Sequence, residues 1–402
     1  MQVAAFLRRT LVPQSFIELM VLFSITFVLL LLYGGLLFYY RAGWLAIPQF
    51  KDAALIKDPV FITVIVAARN EEDNLPALLQ CLKDQTYPTN NFEVIIVNDH
   101  STDNTEKVLK NFPLQNLQLI NLADHVGQKI NSYKKKAIEI AVAQSKGELI
   151  VTTDADCKVP PQWLQTIAGF YAEKKPGMIV MPVAIRNNGT GLGLFQSIDF
   201  MTLQGITGGA VNKDFHPMSN GANLAYTKQI FNEVNGFSGV DAIASGDDML
   251  LMNKILKLQP GSIQYLKSTN VTVQTEPMKT VSDFMNQRIR WASKSGNYGD
   301  AKIMWVLGLV YILNVLLLVF AVMIAFGISW QKPLSPLVAW LILITFKTLG
   351  ELFFLHPVAT FFKKENELWL FPLLQPFHIV YTVVAGWLGM FGSYRWKERK
   401  VK

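Results

Sequence analysis

Two short acidic motifs contain the side chains best suited to chemistry. Asp154 and Asp156 flank Ala155 at the end of an apolar run, and in an extended segment residues two apart point the same way. Both carboxylates can therefore face one hard cation, such as Mg2+ or Mn2+, that is bound to a diphosphate. The alternative interpretation is an aspartate that only caps the chain ahead of Pro160.

The second acidic motif, Gly246-Asp247-Asp248, opens a segment of helical periodicity from Met249 to Leu256. Aspartates at the start of a helix are ordinary caps that complement the helix dipole. One of them can instead face a crevice and take a proton from an attacking hydroxyl as a general base. Asp248 and Asp247 are therefore candidate catalytic residues.

A cationic and aromatic motif, the run Gln287–Trp291, lies shortly before a long apolar stretch that starts near Ile303. Arg290 can place a planar cation on a departing diphosphate, and the Trp291 indole can stack on the apolar face of a sugar ring. Arginine and tryptophan are also common anchors at a membrane interface. The order of the three motifs, followed by membrane-type sequence, suggests chemistry on an anionic nucleotide donor at a bilayer surface.

Alternating strand and helix patterns must position these motifs. Such alternation predicts an α/β domain with a mostly parallel sheet, because a parallel pair needs a crossover connection and a helix usually supplies it. Ligands of such sheets gather outside the carboxyl ends of the strands. Asp99 and Asp154 each follow a strand end, so the topology predicts that they meet in one crevice. The predicted elements are strands at Val60–Ala67, Phe92–Val97, Leu117–Leu122 and Glu148–Thr153, a helix after the first strand, and a helix at Lys134–Gln144.

Four apolar stretches predict membrane-spanning helices. The chain is 51% hydrophobic and 17% charged, with a mean hydropathy of +0.26, which favours a mixed soluble and membrane architecture. The stretch 16–40 carries one charge, Glu18, and is long enough to cross about 30 Å of hydrocarbon, so we expect a retained anchor rather than a cleaved signal peptide. The later stretches are Ile303–Trp330, Leu337–Leu355 and Leu368–Phe391.

Two of these later stretches leave alternatives open. Lys347 and Glu351 lie four residues apart, so they can pair, either near an interface or as part of a path for substrate. Pro372, Pro376 and His378 interrupt the last stretch, which is therefore a kinked spanning helix or a re-entrant hairpin. Basic residues flank it on both sides, so the charge rule does not decide the side of the carboxyl terminus.

The net charge of +7 fits contact with anionic lipid headgroups and attraction of a diphosphate donor, and it needs no nucleic-acid partner. Cys81 and Cys157 are too few for a disulfide framework and lack the spacing of metal ligands, which indicates a reducing compartment. We therefore expect an integral protein of the cell or inner membrane, with the catalytic domain on the cytoplasmic side.

Six motifs, taken together and in order, resemble glycosyltransferase family 2, and most closely its membrane-embedded synthases of the cellulose, chitin and hyaluronan type. This chain has Asn98-Asp99 where many members have Asp-Asp, and it has Gly246-Asp247-Asp248 where many synthases have Thr-Glu-Asp or Gly-Glu-Asp. Neither departure removes the essential carboxylate. The matching segments are Val64–Glu72, Val97–Asp103, Thr153–Asp156, Asn220–Asn223, Gly246–Asp248 and Gln287–Trp291.

The resemblance implies a GT-A nucleotide-sugar-binding fold, a UDP-sugar donor and a divalent cation, Mg2+ or Mn2+. Carried over by position, it implies that Asp99 contacts the uracil, and that Asp154 and Asp156 contact the ribose and the metal-bound diphosphate. Glu71 and Lys135 would line the nucleotide pocket. These five residues are the predicted donor-binding set, and Asp156 and Asp154 are the predicted metal ligands.

The resemblance also implies inverting transfer with Asp248 as the base, and it places Gln287, Arg290 and Trp291 beside the acceptor and the leaving group. Three functions remain open: extension of a polysaccharide or oligosaccharide, transfer of one sugar to a lipid carrier or glycolipid, and a membrane-tethered binding protein that has lost its chemistry. The predicted divisions are an N-terminal flank (1–15), a transmembrane anchor (16–40), a GT-A catalytic domain (41–279), an interfacial amphipathic helix (280–300), transmembrane or re-entrant helices (301–394) and a basic tail (395–402).

Overall fold

The computed structural model describes residues 16–51, 58–127, 131–216, 218–241, 243, 246–294, 300–327, 335–391, 394–396 and 399–401. The chain forms two compact units. We call the first the helical unit (Met1–Ala42, Ser282–Tyr394 and Lys402) and the second the sheet unit (Gly43–Val281 and Arg395–Val401). The predicted flank 1–15 lies outside the described residues.

The sheet unit alternates strands with helices, as the periodicity predicts. Its strands are β1 (Ile62–Ala68), β2 (Phe92–Asn98), β3 (Leu117–Asn121), β4 (Leu149–Thr152), β5 (Cys157–Lys158), β6 (Met178–Val180), β7 (Val183–Ile185), β8 (Leu224–Thr227), β9 (Ile263–Tyr265) and β10 (Val273–Thr275). The first helix of the chain is α1 (Phe16–Ala46). The helices of the sheet unit that follow it are α2 (Leu75–Lys83), α3 (Thr105–Asn111), α4 (Tyr133–Gln144), α5 (Trp163–Lys174), α6 (Gly191–Asn212), α7 (Lys228–Glu233) and α8 (Asp247–Leu258).

The main sheet has seven strands in the order β3-β2-β1-β4-β8-β6-β9. Strands β3, β2, β1 and β4 are mutually parallel, while β8 runs antiparallel to both of its neighbours and β9 is parallel to β6. The mostly parallel sheet is therefore confirmed. A smaller sheet has the order β5-β10-β7.

The register of the parallel strands brings their carboxyl ends to one edge. Ala68 at the end of β1 lies opposite Asn98 at the end of β2, and Ile65 lies opposite Thr152 at the end of β4. All seven residues of β2 are buried, because helices cover the sheet and leave neither face of this strand to water. The segments that follow β1 and β2 consequently start side by side, and the segment that follows β4 starts three residues earlier at the same edge.

The helical unit contains the stretches that are long and apolar enough to cross a membrane. Among the described residues there are four such candidates: Glu18–Ala46, Ala301–Ala325, Pro336–Phe362 and Glu365–Phe391. Its helices are α1 (Phe16–Ala46), α9 (Val281–Ala292), α10 (Ala301–Ala325), α11 (Pro336–Phe362) and α12 (Phe371–Phe391). The short strands β11 (Tyr394–Trp396) and β12 (Arg399–Val401) follow α12 in the chain, and all of their residues except Tyr394 belong to the sheet unit.

The helix ends differ in part from the sequence-based expectation. Helix α10 ends at Ala325 rather than at Trp330, and α11 continues to Phe362, well beyond Leu355. Helix α12 is continuous over 21 residues with Pro376 inside it, so the last stretch is a helix and not a re-entrant hairpin. The helix tolerates this proline because neighbouring helices can compensate for the lost backbone hydrogen bond.

The predicted pairing of Lys347 with Glu351 is confirmed at 2.7 Å between Nζ and Oε1. Two further side chains complete a buried polar network. The Gln375 carboxamide accepts from Lys347 at 2.8 Å and donates to Glu351 at 2.5 Å, and the Tyr33 hydroxyl donates to Glu351 at 2.7 Å. The pair occupies positions 12 and 16 of the 27 residues of α11 and therefore lies near the middle of the helix.

Candidate active site

The polar segments that follow β1 and β2 are tied to each other by hydrogen bonds. The Asp99 amide donates to the Ala68 carbonyl at 2.7 Å, and the Arg69 guanidinium donates to the carbonyl of Asp99 at 3.2 Å. The Asp99 carboxylate lies 2.9 Å from Nδ1 of His100 and is 4% exposed as a residue. A buried carboxylate at the carboxyl edge of the sheet is suited to accept hydrogen bonds from a ring, as the uracil prediction for Asp99 requires.

Glu71 is also buried at this edge. Its backbone amide donates to the Thr105 hydroxyl at 2.8 Å, and its carboxylate accepts from the Asn74 carboxamide at 2.7 Å. These contacts hold the turn that connects β1 to α2. They give Glu71 a defined position in this turn, and its predicted contact with the nucleotide stays a prediction.

The Asp154-Ala155-Asp156 motif lies in a turn, which differs from the extended segment that we expected. Strand β4 ends at Thr152, and the amide of Cys157 donates to the carbonyl of Asp154 at 3.2 Å, which closes the turn. The alternation of an extended strand therefore does not apply. Asp154 is half-buried, whereas Asp156 is exposed, with Oδ1 located 3.7 Å from the Cys157 sulfur.

Lys134 brings the two acidic motifs together. Its ammonium lies 2.7 Å from Oδ1 of Asp154 and 3.5 Å from Oδ2 of Asp247. Burial alone would favour the neutral amine, but the carboxylates of Asp154, Asp247 and Asp248 outweigh it and raise the pKa of Lys134 above its ordinary value. We name Lys134, Asp154, Asp247 and Asp248 the acidic cluster.

Gly221 completes this cluster because it comes from the segment directly ahead of β8, which starts at the same edge of the sheet. A Cβ added to Gly221 would lie 3.3 Å from Oδ2 of Asp247 and 3.4 Å from Nζ of Lys134. The backbone amide of Gly221 donates to Oδ2 of Asp248 at 3.0 Å. Asn223 in the same motif has a structural role, since its carboxamide is fully buried and bonds to the carbonyls of Pro182 and Val271.

Asp247 and Asp248 begin helix α8 and point to different partners. The Asp248 carboxylate accepts from the amides of Gly221 and Met249, so two backbone donors orient it. Gly246 ahead of the pair has φ +81°, a conformation that residues with a Cβ rarely adopt. Gly246 is the N-cap residue, so neither aspartate caps the helix; both lie in its first turn, and the catalytic role of Asp248 stays a prediction.

Lys135, which the family resemblance places in the nucleotide pocket, is buried against the main chain, and its predicted role stays a prediction. Its ammonium donates to the carbonyls of Val240 and Ile243 at 2.7 and 2.6 Å, and the residue is 2% exposed. Burial lowers the pKa of Lys135, while the charges of Asp247, Asp241 and Asp248 offset part of that effect. The structure therefore places Lys134, and not its neighbour, between the carboxylates.

The predicted acceptor residues lie on α9 in the helical unit. Gln287, Arg290 and Trp291 are spaced three and four residues apart, so they share one side of this helix. The buried Arg288 guanidinium lies 4.3 Å from the centre of the Trp291 ring and 4.9 Å from that of Phe284. Phe284 in turn contacts Tyr381 of α12 edge to face. The helix is thus packed within the helical unit, and the roles of its three predicted residues stay predictions.

The chemistry of the acidic cluster fits a divalent cation. Among the described residues no group of three or more His, Cys, Asp or Glu side chains is arranged to hold a metal. Mg2+ does not need such a cage, because one or two carboxylates together with substrate phosphates and water suffice. Asp154 and Asp247 already attract a cation, the ammonium of Lys134, so the local field favours positive charge.

Comparison with known proteins identifies the family. A model of Glycosyl transferase family 2 matches residues 63–234, and a model of Glycosyl transferase family group 2 matches residues 149–363. The second match covers more than half of the 402 residues. The chain therefore belongs to glycosyl transferase family group 2, as the sequence motifs predicted.

Similar curated proteins include a beta-monoglucosyldiacylglycerol synthase of Synechocystis sp., 27% identical over 60% of this chain and 49% of that protein. A poly-beta-1,6-N-acetyl-D-glucosamine synthase of Staphylococcus epidermidis is 23% identical over 58% of this chain and 53% of that protein. The chain thus spans about half the length of these relatives.

A solved mannosyltransferase from Pyrobaculum calidifontis, in complex with GDP-Man and Mn2+, superposes with a TM-score of 0.54 at 19% identity. The similarity covers 92% of this chain and 99% of that one. At this identity the likeness establishes the fold, which confirms the predicted GT-A architecture.

Proposed function

We propose that the protein transfers a sugar from a UDP-sugar to a membrane lipid, with inversion, at the cytoplasmic face of a membrane. The observation that carries the proposal is the acidic cluster, in which Lys134 joins two carboxylate motifs at the carboxyl edge of a GT-A sheet. Family membership and the four candidate spans support a glycosyl acceptor that is embedded in or bound to the bilayer.

In this proposal Asp99 and Glu71 contact the uridine, and the acidic cluster lies beside the diphosphate. Asp154 and Asp156 would hold Mg2+ or Mn2+, which when bound supplies positive charge for the leaving diphosphate. The Lys134 ammonium adds a second positive charge that it can share with the donor phosphates. Arg290 would contribute a third, and Gln287 and Trp291 would contact the acceptor sugar or headgroup.

Asp248 would take the proton from the acceptor hydroxyl. Its carboxylate is oriented by two backbone amides, and Asp247 beside it is engaged with Lys134. A single base on the acceptor side and a neutralised leaving group are sufficient for direct displacement, which inverts the anomeric centre. No covalent sugar intermediate on a second carboxylate is required.

Single transfer to a diacylglycerol-type lipid is the first candidate because the similar proteins include a beta-monoglucosyldiacylglycerol synthase. Extension of a saccharide is the second candidate, favoured by the similarity to the poly-beta-1,6-N-acetyl-D-glucosamine synthase and by the run Gln287–Trp291. Both use the same donor chemistry, so they differ only in the acceptor and in the number of transfers.

Product length distinguishes the two candidates. Detergent-solubilised protein would be incubated with labelled UDP-sugars, with diacylglycerol or with oligosaccharide, and with Mn2+ or with a chelator. A single lipid-soluble product that forms only with the metal supports the proposal, whereas a ladder of products supports extension. Absence of transfer and of UDP release with every donor would contradict both.

A further inference from the structure

Three hydrogen bonds tie the start of helix α4 to the chain that leads into Asp247. The Lys135 ammonium donates to the carbonyls of Val240 and Ile243, and the Ser132 hydroxyl donates to the carbonyl of Asp241. These carbonyls lie between four and seven residues ahead of Asp247. We call Val240, Asp241 and Ile243 the tethered segment.

The tether is well protected from water. Lys135 is 2% exposed and Ser132 is 5% exposed. A buried ammonium is costly unless it is paired or hydrogen-bonded, and here two main-chain carbonyls supply those bonds. The Lys135 ammonium thus bonds directly to the backbone of the tethered segment, while its charge interacts with Asp247 and Asp248 only at longer range.

Adjacent lysines therefore do different things. On a helix, consecutive residues point about 100° apart, so Lys134 and Lys135 cannot face the same group. Lys134 contacts the carboxylates of Asp154 and Asp247, while Lys135 contacts only the main chain among the hydrogen bonds that the described structure gives for it. Helix α4 thus holds both the charge of the acidic cluster and the backbone that leads into it.

We infer that Lys135 is a positioning residue: by holding the tethered segment, it fixes where helix α8 begins and therefore where the carboxylate of Asp248 lies. This inference rests on the proposed function, in which Asp248 is the base. Proton transfer depends steeply on the geometry of the base, whereas donor binding depends on the charges of the cluster. Loss of the tether should therefore lower turnover and leave nucleotide binding intact.

The test compares Lys135→Met, which keeps the length of the side chain, with Lys134→Met and Lys135→Arg in the full-length protein in detergent. Lys136→Met is the matched control, because Lys136 is exposed and contacts only Glu139 at 3.4 Å among the ion pairs described. Three readouts are needed: kcat with the donor that the wild type uses, the dissociation constant of UDP with Mn2+, and amide hydrogen exchange of the peptide that spans Val240 to Asp248.

Lys135→Met is expected to lower kcat about 10- to 100-fold, with an unchanged UDP dissociation constant and faster amide exchange in the tethered segment. Lys134→Met should instead weaken UDP binding. Lys135→Arg should recover part of kcat, since a guanidinium can donate to both carbonyls. Lys136→Met should match the wild type in all three readouts.

Two results would overturn the inference. Weaker UDP binding with unchanged kcat in Lys135→Met would make Lys135 a donor-binding residue, and wild-type kcat and exchange would show that the tether has no role. If Lys135→Met does not fold, Ser132→Ala is the substitute, because it removes only the hydrogen bond from Ser132 to the Asp241 carbonyl. It should also lower kcat and speed amide exchange in the tethered segment. If the wild type uses no sugar nucleotide, the proposed function fails, and exchange rates alone then decide whether Lys135 holds the segment.

Discussion

The two units each contain a lysine that pairs with carboxylates, and the two clusters differ in how far their hydrogen-bonding capacity is used. In the helical unit, Lys347, Glu351, Gln375 and Tyr33 satisfy one another and are nearly inaccessible to solvent. In the sheet unit, the Lys134 side chain remains 23% exposed and that of Asp154 39% exposed. We call the first network the closed cluster, and we call the acidic cluster of the sheet unit the open cluster.

This difference separates structure from function. A closed network within candidate membrane-spanning helices has little capacity left for a ligand, and its value lies in joining α1, α11 and α12. In the open cluster, Lys134 can exchange its contacts with the carboxylates for contacts with a bound diphosphate. The carboxylates can in turn exchange Lys134 for a bound metal ion. Mutations should therefore reduce activity in the open cluster and stability in the closed one.

The largest effect is expected from Asp248→Asn. The amide keeps the shape of the side chain but cannot accept a proton, so kcat should fall by about 10²- to 10⁴-fold. UDP affinity should persist, because the donor is held by other residues. Steady-state kinetics with UDP-release detection measure the effect, and Asp84→Asn on the exposed end of α2 is the control. Full turnover in Asp248→Asn would show that another residue is the base.

Lys134→Met tests the open cluster directly. Removal of the shared cation should weaken donor binding and transition-state stabilisation, with kcat/KM about 100-fold lower. The free energy of unfolding should change by no more than about 1 kcal/mol, because the pair is partly exposed to solvent. Thermal denaturation and kinetics on the same preparations check both parts. A strongly destabilised but fully active variant would show that the open cluster is structural.

Mildly alkaline pH should not remove the contribution of Lys134 to the open cluster. The pKa of Lys134 is raised in the folded protein, so its contribution to stability is complete below the ordinary lysine pKa and is lost only as the pH rises through the still higher folded value. Lys134 therefore stays charged throughout the neutral to mildly alkaline range, and the wild type and Lys134→Met should show parallel stability curves there.

Glu351→Gln tests the closed cluster and should have the opposite outcome. The substitution leaves the Lys347 ammonium buried without a counter-charge, which typically costs about 3–5 kcal/mol. Thermal denaturation in detergent measures the loss, while kcat of the surviving folded fraction should remain near that of the wild type. Glu365→Gln, at an exposed position ahead of α12, is the matched control.

The double variant Lys347→Met/Glu351→Leu sharpens this result. It removes both charges together, so it should be more stable than Glu351→Gln alone if the penalty comes from an unpaired ion. If both variants instead retain stability but lose transfer, the network belongs to a path for substrate, which was the alternative drawn from the sequence.

Sequence alone predicted the elements well where a periodic pattern determined them. The strands that end at Ala68, Asn98 and Thr152 follow from continuous buried runs, and the pairing of Lys347 with Glu351 follows from helical spacing. The partners Tyr33 and Gln375 could not be predicted, because contacts between distant helices leave no local signal.

The candidate site was predicted at the level of motifs and less well at the level of single side chains. In a run of three lysines, composition does not say which one faces the carboxylates, and a rotation of about 100° per residue separates Lys134 from Lys135. The turn at Asp154 depends on a backbone bond to Cys157, which strand periodicity does not encode. Tertiary packing decided both.

The smallest effect is expected from Gly221→Ala, which adds one methyl group to the open cluster. The new Cβ would lie 3.3 Å from Asp247 and 3.4 Å from Lys134, so these side chains must shift by a few tenths of an ångström. Because both are flexible and partly exposed, KM for the donor should rise only about two- to fivefold, roughly 0.5–1 kcal/mol. Donor titration of initial rates measures it. Gly127→Ala, where an added Cβ meets nothing within 4 Å, is the control. An equal rise in KM for the donor in both variants would show that Gly221 has no specific role in donor binding. Only the charged residues of the open cluster would then contribute to it.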